Sequence, residues 1–213
     1  MINIKKFVCN SLQENCYIVS DETNDAVVID CGALYNDERN AITRYIDEQK
    51  LHVCHVICTH AHFDHCFGLA TIWRHCNVKP TLPLLDKPFA DIDNQMQLML
   101  GTHYNEEQAP IDTFFSDGDT FHFGTHQFTA IATPGHSPGS SCLYCAEENV
   151  LFSGDTLFRM SIGRTDLQGG NWSDMKQSLI KLASMPPETK VMPGHGPATT
   201  IADEKMYNPY LRG

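Results

Sequence analysis

Hydrophobic and polar positions along this chain alternate in short runs, interrupted by stretches whose apolar residues recur at helical spacing. Residues 5–10, 15–20 and 26–31 are β-rich runs separated by polar turns such as Asp21-Glu22-Thr23-Asn24-Asp25, a pattern that predicts a β-meander. Residues 37–50 carry Ile42, Tyr45 and Ile46 at helical spacing. The run 53–58 is apolar apart from His55 and predicts a strand covered on both faces. Helices are predicted at 67–75, 92–100 and 173–183, with a short one at the C-terminus. Strands are predicted at 127–133, 141–146, 150–153 and near 190–192. Two β-rich halves, each followed by helices, predict an α/β fold in which two sheets pack together with helices outside. There is a faint internal echo, since Val27-Val28-Ile29-Asp30 and Val150-Leu151-Phe152-Ser153-Gly154-Asp155 both run from an apolar strand to an acid. No linker or low-complexity stretch divides the sequence, which reads as one domain, 1–213.

Composition narrows this reading. With 42% hydrophobic and 19% charged residues the chain has an ordinary folded composition. Its N-terminus lacks the apolar core of a signal peptide and no stretch approaches a membrane span, so the expected location is cytoplasmic. A net charge of −11 argues against nucleic acid or an anionic membrane as partner. Most cysteines, including Cys9, Cys16, Cys31, Cys54 and Cys58, lie in apolar strand-like runs and read as small reduced hydrophobes. Cys142 and Cys145 have redox or zinc-site spacing, but Ser141-Cys142-Leu143-Tyr144-Cys145 reads as a strand that sends the two sulfurs to opposite faces. The stripe Met96, Leu98, Met99 and Leu100 reads as core rather than as the lining of an apolar channel.

The candidate chemistry begins at His60-Ala61-His62-Phe63-Asp64-His65, where four potential metal ligands follow an apolar strand. A chance hexad of this pattern arises in roughly one shuffled sequence in five hundred, which makes accident a poor explanation. Crowded imidazoles beside a carboxylate repel one another if protonated and need solvation if neutral, and a bound cation removes both problems. Three later segments share one grammar, a strand ending in a Gly-rich turn that presents His or Asp. They are Pro134-Gly135-His136-Ser137-Pro138-Gly139, Ser153-Gly154-Asp155-Thr156 and Pro193-Gly194-His195-Gly196-Pro197. Glycine and proline fix tight backbone geometry there. His52, His55, His75, His103, His122 and His126 lack companions at ligand spacing and read as surface or core residues.

With these motifs in that order, the chain resembles the metallo-β-lactamase superfamily, whose αββα sandwich carries metals at the sheet edge. The resemblance implies that His60, His62 and His136 hold a first metal and that Asp64, His65 and His195 hold a second, with Asp155 bridging. It implies two divalent ions, zinc first, with iron or manganese also suited to such ligands. It further implies a bridging hydroxide as nucleophile, with Asp64 orienting it or taking its proton. Asp30 matches a position that supports the site rather than binding metal.

The branch of the superfamily is also readable. Lactamases of the main type carry cysteine where this chain has Asp155, and flavodiiron proteins carry Glu where it has His62. The stretch from Asp155 to His195 is too short for the inserted domain usual in the superfamily's nucleases. The segment Gly154–Asp166 resembles glyoxalase II, and Leu167-Gln168-Gly169-Gly170-Asn171-Trp172 resembles its compact single-domain type. That resemblance implies hydrolysis of a small-molecule thioester such as S-lactoylglutathione. The expectation is a chain without the C-terminal helical domain that supplies glutathione contacts in two-domain enzymes. Arg159 and Arg164 are then the candidate contacts for an anionic thiol carrier, and an equal alternative is that they tie the loop together or pair with Asp166. A mononuclear iron persulfide dioxygenase and a lactonase remain alternative readings.

Overall fold

The structure is a computed structural model that describes residues 1–212. The first sheet has six strands in chain order: β1 (Asn3–Cys9), β2 (Glu14–Ser20), β3 (Asp25–Ile29), β4 (His52–Ile57), β5 (Pro80–Pro83) and β6 (Thr113–Phe115). The first three are antiparallel neighbours and the rest join in parallel, by way of helices α1 (Asn36–Glu48), α2 (Leu69–Cys76) and α3 (Ile92–Leu100). The second sheet is built from β7 (Thr120–Phe123), β8 (His126–Ala132), β9 (Ser141–Cys145) and β10 (Val150–Gly154), followed by a small hairpin of β11 (Leu157–Phe158) and β12 (Ser161–Ile162). After helix α4 (Trp172–Ala183) come β13 (Lys190–Pro193), β14 (Thr199–Thr200) and helix α5 (Ile201–Tyr207). Its strand order is β14-β13-β10-β9-β8-β7.

Alternation along the strands explains the layering. On β2, Cys16 and Ile18 face the cluster beneath α1 and α2, while Tyr17 and Val19 face the cluster between the sheets. On β9 and β10, Leu143, Cys145 and Phe152 enter that middle cluster, while Cys142 and Leu151 pack toward α4 and α5. Helices, sheet, sheet and helices thus enclose three apolar layers, the αββα order expected. Cys142 and Cys145 do lie on opposite faces of one strand. The internal echo also has a counterpart: β3 and β10 each pair antiparallel on one side and parallel on the other.

Several elements differ from expectation. β5, β6 and β7 were not expected as strands; they are three or four residues long, and β5 is bounded by two prolines. The second helix starts at Leu69 rather than 67, because Phe67 and Gly68 belong to the turn that closes the hexad loop. The stripe on α3 is not core: Met96 is partly buried, but Leu98, Met99 and Leu100 are exposed, since α3 buries Ile92 and Gln95 instead. Among the described residues no helix is long and apolar enough to cross a membrane.

Candidate metal centre

Four loops deliver the candidate ligands to one edge of the sandwich. The hexad follows β4 in the first sheet, and Phe63-Asp64-His65 winds into a single 3-10 turn, with Asp64 Oδ2 3.8 Å from His65 Nε2. His136, Asp155 and His195 follow β8, β10 and β13 of the second sheet. Gly154 precedes Asp155 with φ +48°, and a side chain there would collide with Thr59, which in turn precedes His60. The two sheets approach this closely only because that position has no Cβ.

The seven residues form two groups joined through a third, since donors of His60, His65 and Asp155 also lie within 4.8 Å of one another. Donor atoms of His60, His62 and His136 lie within 4.8 Å of one another, as do those of Asp64, His65 and His195. Asp155 reaches both: its Oδ1 is 3.4 Å from His65 Nε2, and its Oδ2 is 3.5 Å from His136 Nε2 and 3.6 Å from His195 Nε2. Asp64 Oδ2 lies 3.3 Å from His195 Nε2. His62 Nδ1 and His136 Nε2 face each other at 2.8 Å. His60 Nε2 and Asp155 Oδ1 are buried without any hydrogen-bond partner. Unpartnered buried donors and acceptors of this kind are costly. A cation among them supplies the missing partner, so the donor set fits one.

Outer contacts fix which ring nitrogen faces inward. His65 Nδ1 is 3.0 Å from Asp30 Oδ2, His136 Nδ1 is 2.8 Å from the Arg164 carbonyl, and His195 Nδ1 is 3.0 Å from the Leu12 carbonyl. Each ring donates outward to an acceptor and turns Nε2 to the centre. Asp30 meets His65 at the nitrogen turned away from the centre, and it also accepts from the Thr59 amide and hydroxyl.

Electrostatics separates the halves. Burial, reinforced by the neighbouring imidazoles, pushes His60 well down and takes His62 to about 4, which keeps them neutral electron-pair donors. In the other half burial again opposes charge, but carboxylates outweigh it: Asp155, Asp64 and Asp30 raise His65, and Asp64 and Asp155 raise His195. Asp64 and Asp155 are likewise held below the usual carboxylate range by His65, against the effect of burial. In this half the carboxylates and imidazoles each favour the charged form of the other.

Some supporting residues had not been singled out from the sequence. Asp86, fully buried, accepts from the Ala61 amide (3.0 Å), the Ser137 hydroxyl (2.7 Å) and the Gly139 amide (2.6 Å). It thereby ties the loop of His60 and His62 to the loop of His136. Gln95 accepts from the Phe63 amide and donates to the Ala61 carbonyl. Asn10 donates to the carbonyls of Asp64 and Gly32. A lone polar residue in a loop or helix leaves no periodic or spacing signal, so sequence offered no route to them.

Of the two arginines, Arg164 brings its carbonyl to His136, while its guanidinium forks onto both oxygens of Asp166 at 2.7 Å. Arg159 lines a separate cavity of about 320 Å³ beside Asp203 and Glu204. Most other histidines have ordinary partners: His55 with the His122 carbonyl, His75 with Asp47, His103 with Asp93 and Gln97, and His126 with Asp21 and Glu148. His52 is a surface residue paired with Asp25, as expected, but it has more company than its spacing suggested. Asp25 and Cys54 join it in a separate group of donors within 4.8 Å, away from the hexad, and Cys54 is only partly buried.

Residues 10–195 match the family model of the metallo-β-lactamase superfamily. The chain is 29% identical over 214 residues to a Haemophilus influenzae protein named hydroxyacylglutathione hydrolase GloC, covering 99% of this chain and 98% of that one. Its fold superposes on the crystal structure of BLEG-1 B3 metallo-β-lactamase with a TM-score of 0.90 at 32% identity, covering 99% of this chain and 100% of that one. TTHA1623, whose crystal structure is in a di-iron-bound form, is 35% identical with a TM-score of 0.83, covering 97% and 100%.

Proposed function

The chain belongs to the metallo-β-lactamase superfamily, and from that premise we propose that it is a dinuclear metal-dependent hydrolase acting on a small-molecule thioester, of the glyoxalase II type. The observation that carries this reading is the sorting of donors into two groups with Asp155 within 3.6 Å of nitrogens in both. His60, His62 and His136 would hold one ion, Asp64, His65 and His195 the other, and Asp155 would serve both. Zinc leads, with iron or manganese as alternatives, and the di-iron form of TTHA1623 supports iron as a real candidate. Two such ions, when bound, supply an activated water and polarise the scissile carbonyl.

The chain's own residues do the rest. Asp64, kept ionised and aimed at the centre, orients the attacking water and accepts its proton at a carboxylate oxygen. Asp30, the Arg164 carbonyl and the Leu12 carbonyl hold their imidazoles at fixed orientation through the reaction. His60 and His65 are themselves buried, which keeps bulk water away from their side of the centre. The name of the Haemophilus influenzae relative supports a glutathione thioester as substrate. Arg164, whose exposed guanidinium is already paired with Asp166, is the proposed contact for an anionic thiol carrier; Arg159, beside two acids, is the weaker one.

Metal analysis combined with assays on S-lactoylglutathione, other acyl thioesters, a lactone and a β-lactam tests this. The expected result is close to two metals per chain with thioester cleavage. Replacing Asp64 or His195 is expected to remove the second metal and abolish hydrolysis. One tightly held iron, oxygen uptake with glutathione persulfide and no thioester cleavage would move the chain to the dioxygenases. Turnover of the lactone or the β-lactam alone would keep the dinuclear centre and replace the substrate class.

A further inference from the structure

The group formed by Asp25, His52 and Cys54 lies outside the centre described above. Asp25 opens β3 and His52 opens β4, and the parallel register places the two opposite each other. The hexad follows the far end of β4, and the five steps from His52 to Ile57 span about 17 Å. Cys54 reaches the same spot through an irregularity. The register pairs Ala26 with Val53 and then Val27 with His55, so Cys54 is the extra residue of a bulge. The bulge leaves the Cys54 thiol beside His52 and partly exposed, although its strand is otherwise largely apolar.

The distances suit a tetrahedral cation. Zinc bonds of about 2.0–2.3 Å to N, O and S place neighbouring donors about 3.3–3.8 Å apart. His52 Nδ1 and Cys54 Sγ are 3.6 Å apart. His52 Nδ1 and Asp25 Oδ1, now hydrogen-bonded at 2.8 Å, need to open by about half an ångström. The His52 side chain is 77% exposed and free to make that adjustment. Sulfur, nitrogen and carboxylate oxygen are all zinc donors, and three of them leave a fourth position for water. Asp25 and the nearby Asp21 add the negative potential that draws a cation to this end of the sheet.

We propose that Asp25, His52 and Cys54 form a peripheral site for a soft divalent cation of the zinc class, separate from the hydrolytic centre. Binding breaks the Cys54 S–H bond, the sulfur electron pair passes to the metal, and the proton goes to solvent. His52 now donates its Nδ1 proton to Asp25, so to bind through Nδ1 the neutral ring gives that proton to solvent and takes one at Nε2, a change of tautomer with no net proton release. One proton is therefore released per ion bound.

The candidate ligands of the hydrolytic centre are nitrogen and oxygen alone, so a thiolate signature reports on the peripheral site independently of that centre. Protein carrying its resident metals is titrated with Co²⁺ and followed by thiolate-to-cobalt charge-transfer absorption in the near ultraviolet. The expected result is a band saturating at one equivalent, with one proton released and the band lost when Zn²⁺ is added. Cys54→Ser and His52→Ala should each abolish the band with resident metal content unchanged. No band in the wild-type protein, a band that survives Cys54→Ser, persistence against Zn²⁺, or half-saturation above about 1 mM would overturn the proposal.

Discussion

Asp30 and Asp155 stand at matching places, each just beyond the end of an inner strand flanked by one antiparallel and one parallel neighbour, yet their surroundings give them opposite work. Both oxygens of Asp30 are taken, by Thr59 and His65, so it acts as an anchor. Asp155 Oδ1 has no hydrogen-bond partner and faces imidazole nitrogens, so it remains free to act as a ligand. Asp86 is the residue whose loss tests how far anchoring matters. Asp86→Ala unties the His60–His62 loop from the His136 loop, and metal affinity or activity should fall about 10–100-fold. Asp86→Asn keeps one acceptor and should lose less, and equal loss in both variants would reduce Asp86 to a packing role. Ligand residues such as His60 and His136 were legible because chemistry forces them into short motifs with Gly and Pro around them. Asp86, Gln95 and Asn10 were not, because each acts through space on a backbone group that carries no residue-type signature. The triad at Asp25 was hidden for another reason: Asp25 meets His52 and Cys54 only through strand register.

At the scale of elements, the turn between β2 and β3 meets the turn between β7 and β8 through one carboxylate. Asp21 accepts from the Thr23 amide and hydroxyl, the Thr125 amide at 2.6 Å and the Thr125 hydroxyl, and lies 3.2 Å from His126 Nδ1. Burial disfavours its charge, but these donors outweigh burial and hold it well below the usual carboxylate range. Its stabilising effect is thus complete above the unfolded value of about 3.9 and is lost as pH falls below that toward the folded value. Asp21→Asn should cost about 1–3 kcal/mol at pH 7 in urea unfolding, with the gap between variant and wild type narrowing below about pH 4. A gap unchanged from pH 7 to 3 would mean that charge plays no part. Periodicity predicted most strands and the long helices, since each buries one or both faces at a fixed interval. It gave no warning that α3 turns Leu98, Met99 and Leu100 to solvent, because a stripe identifies a face and not what covers it.

Across the whole molecule, the candidate ligands straddle the two sheets, with four from the first and three from the second. Polar links cross at the same edge: Asn15 donates its amide to the Gly194 carbonyl, Ser141 its amide to Thr59, and Tyr17 its hydroxyl to Pro193. Metals bound there join the sheets as well as serve chemistry. Free metal at 100 times Kd stabilises by about 2.7 kcal/mol per site. For a chain of this size, stripping one site should lower Tm by about 5–10 °C. A chelated protein melting with the holoprotein would show that the centre carries no structural load. The opposite end of the sandwich rests on stacked Phe123 and Phe128 and on Asp21, neither of which involves the candidate ligands. The pair of sheets therefore resembles a book with its spine intact and its clasp removable. Amide protons of Asn15 and Ser141 would then exchange with solvent on a clock set by metal occupancy, while those buried beside Phe128 keep the slower time of global unfolding.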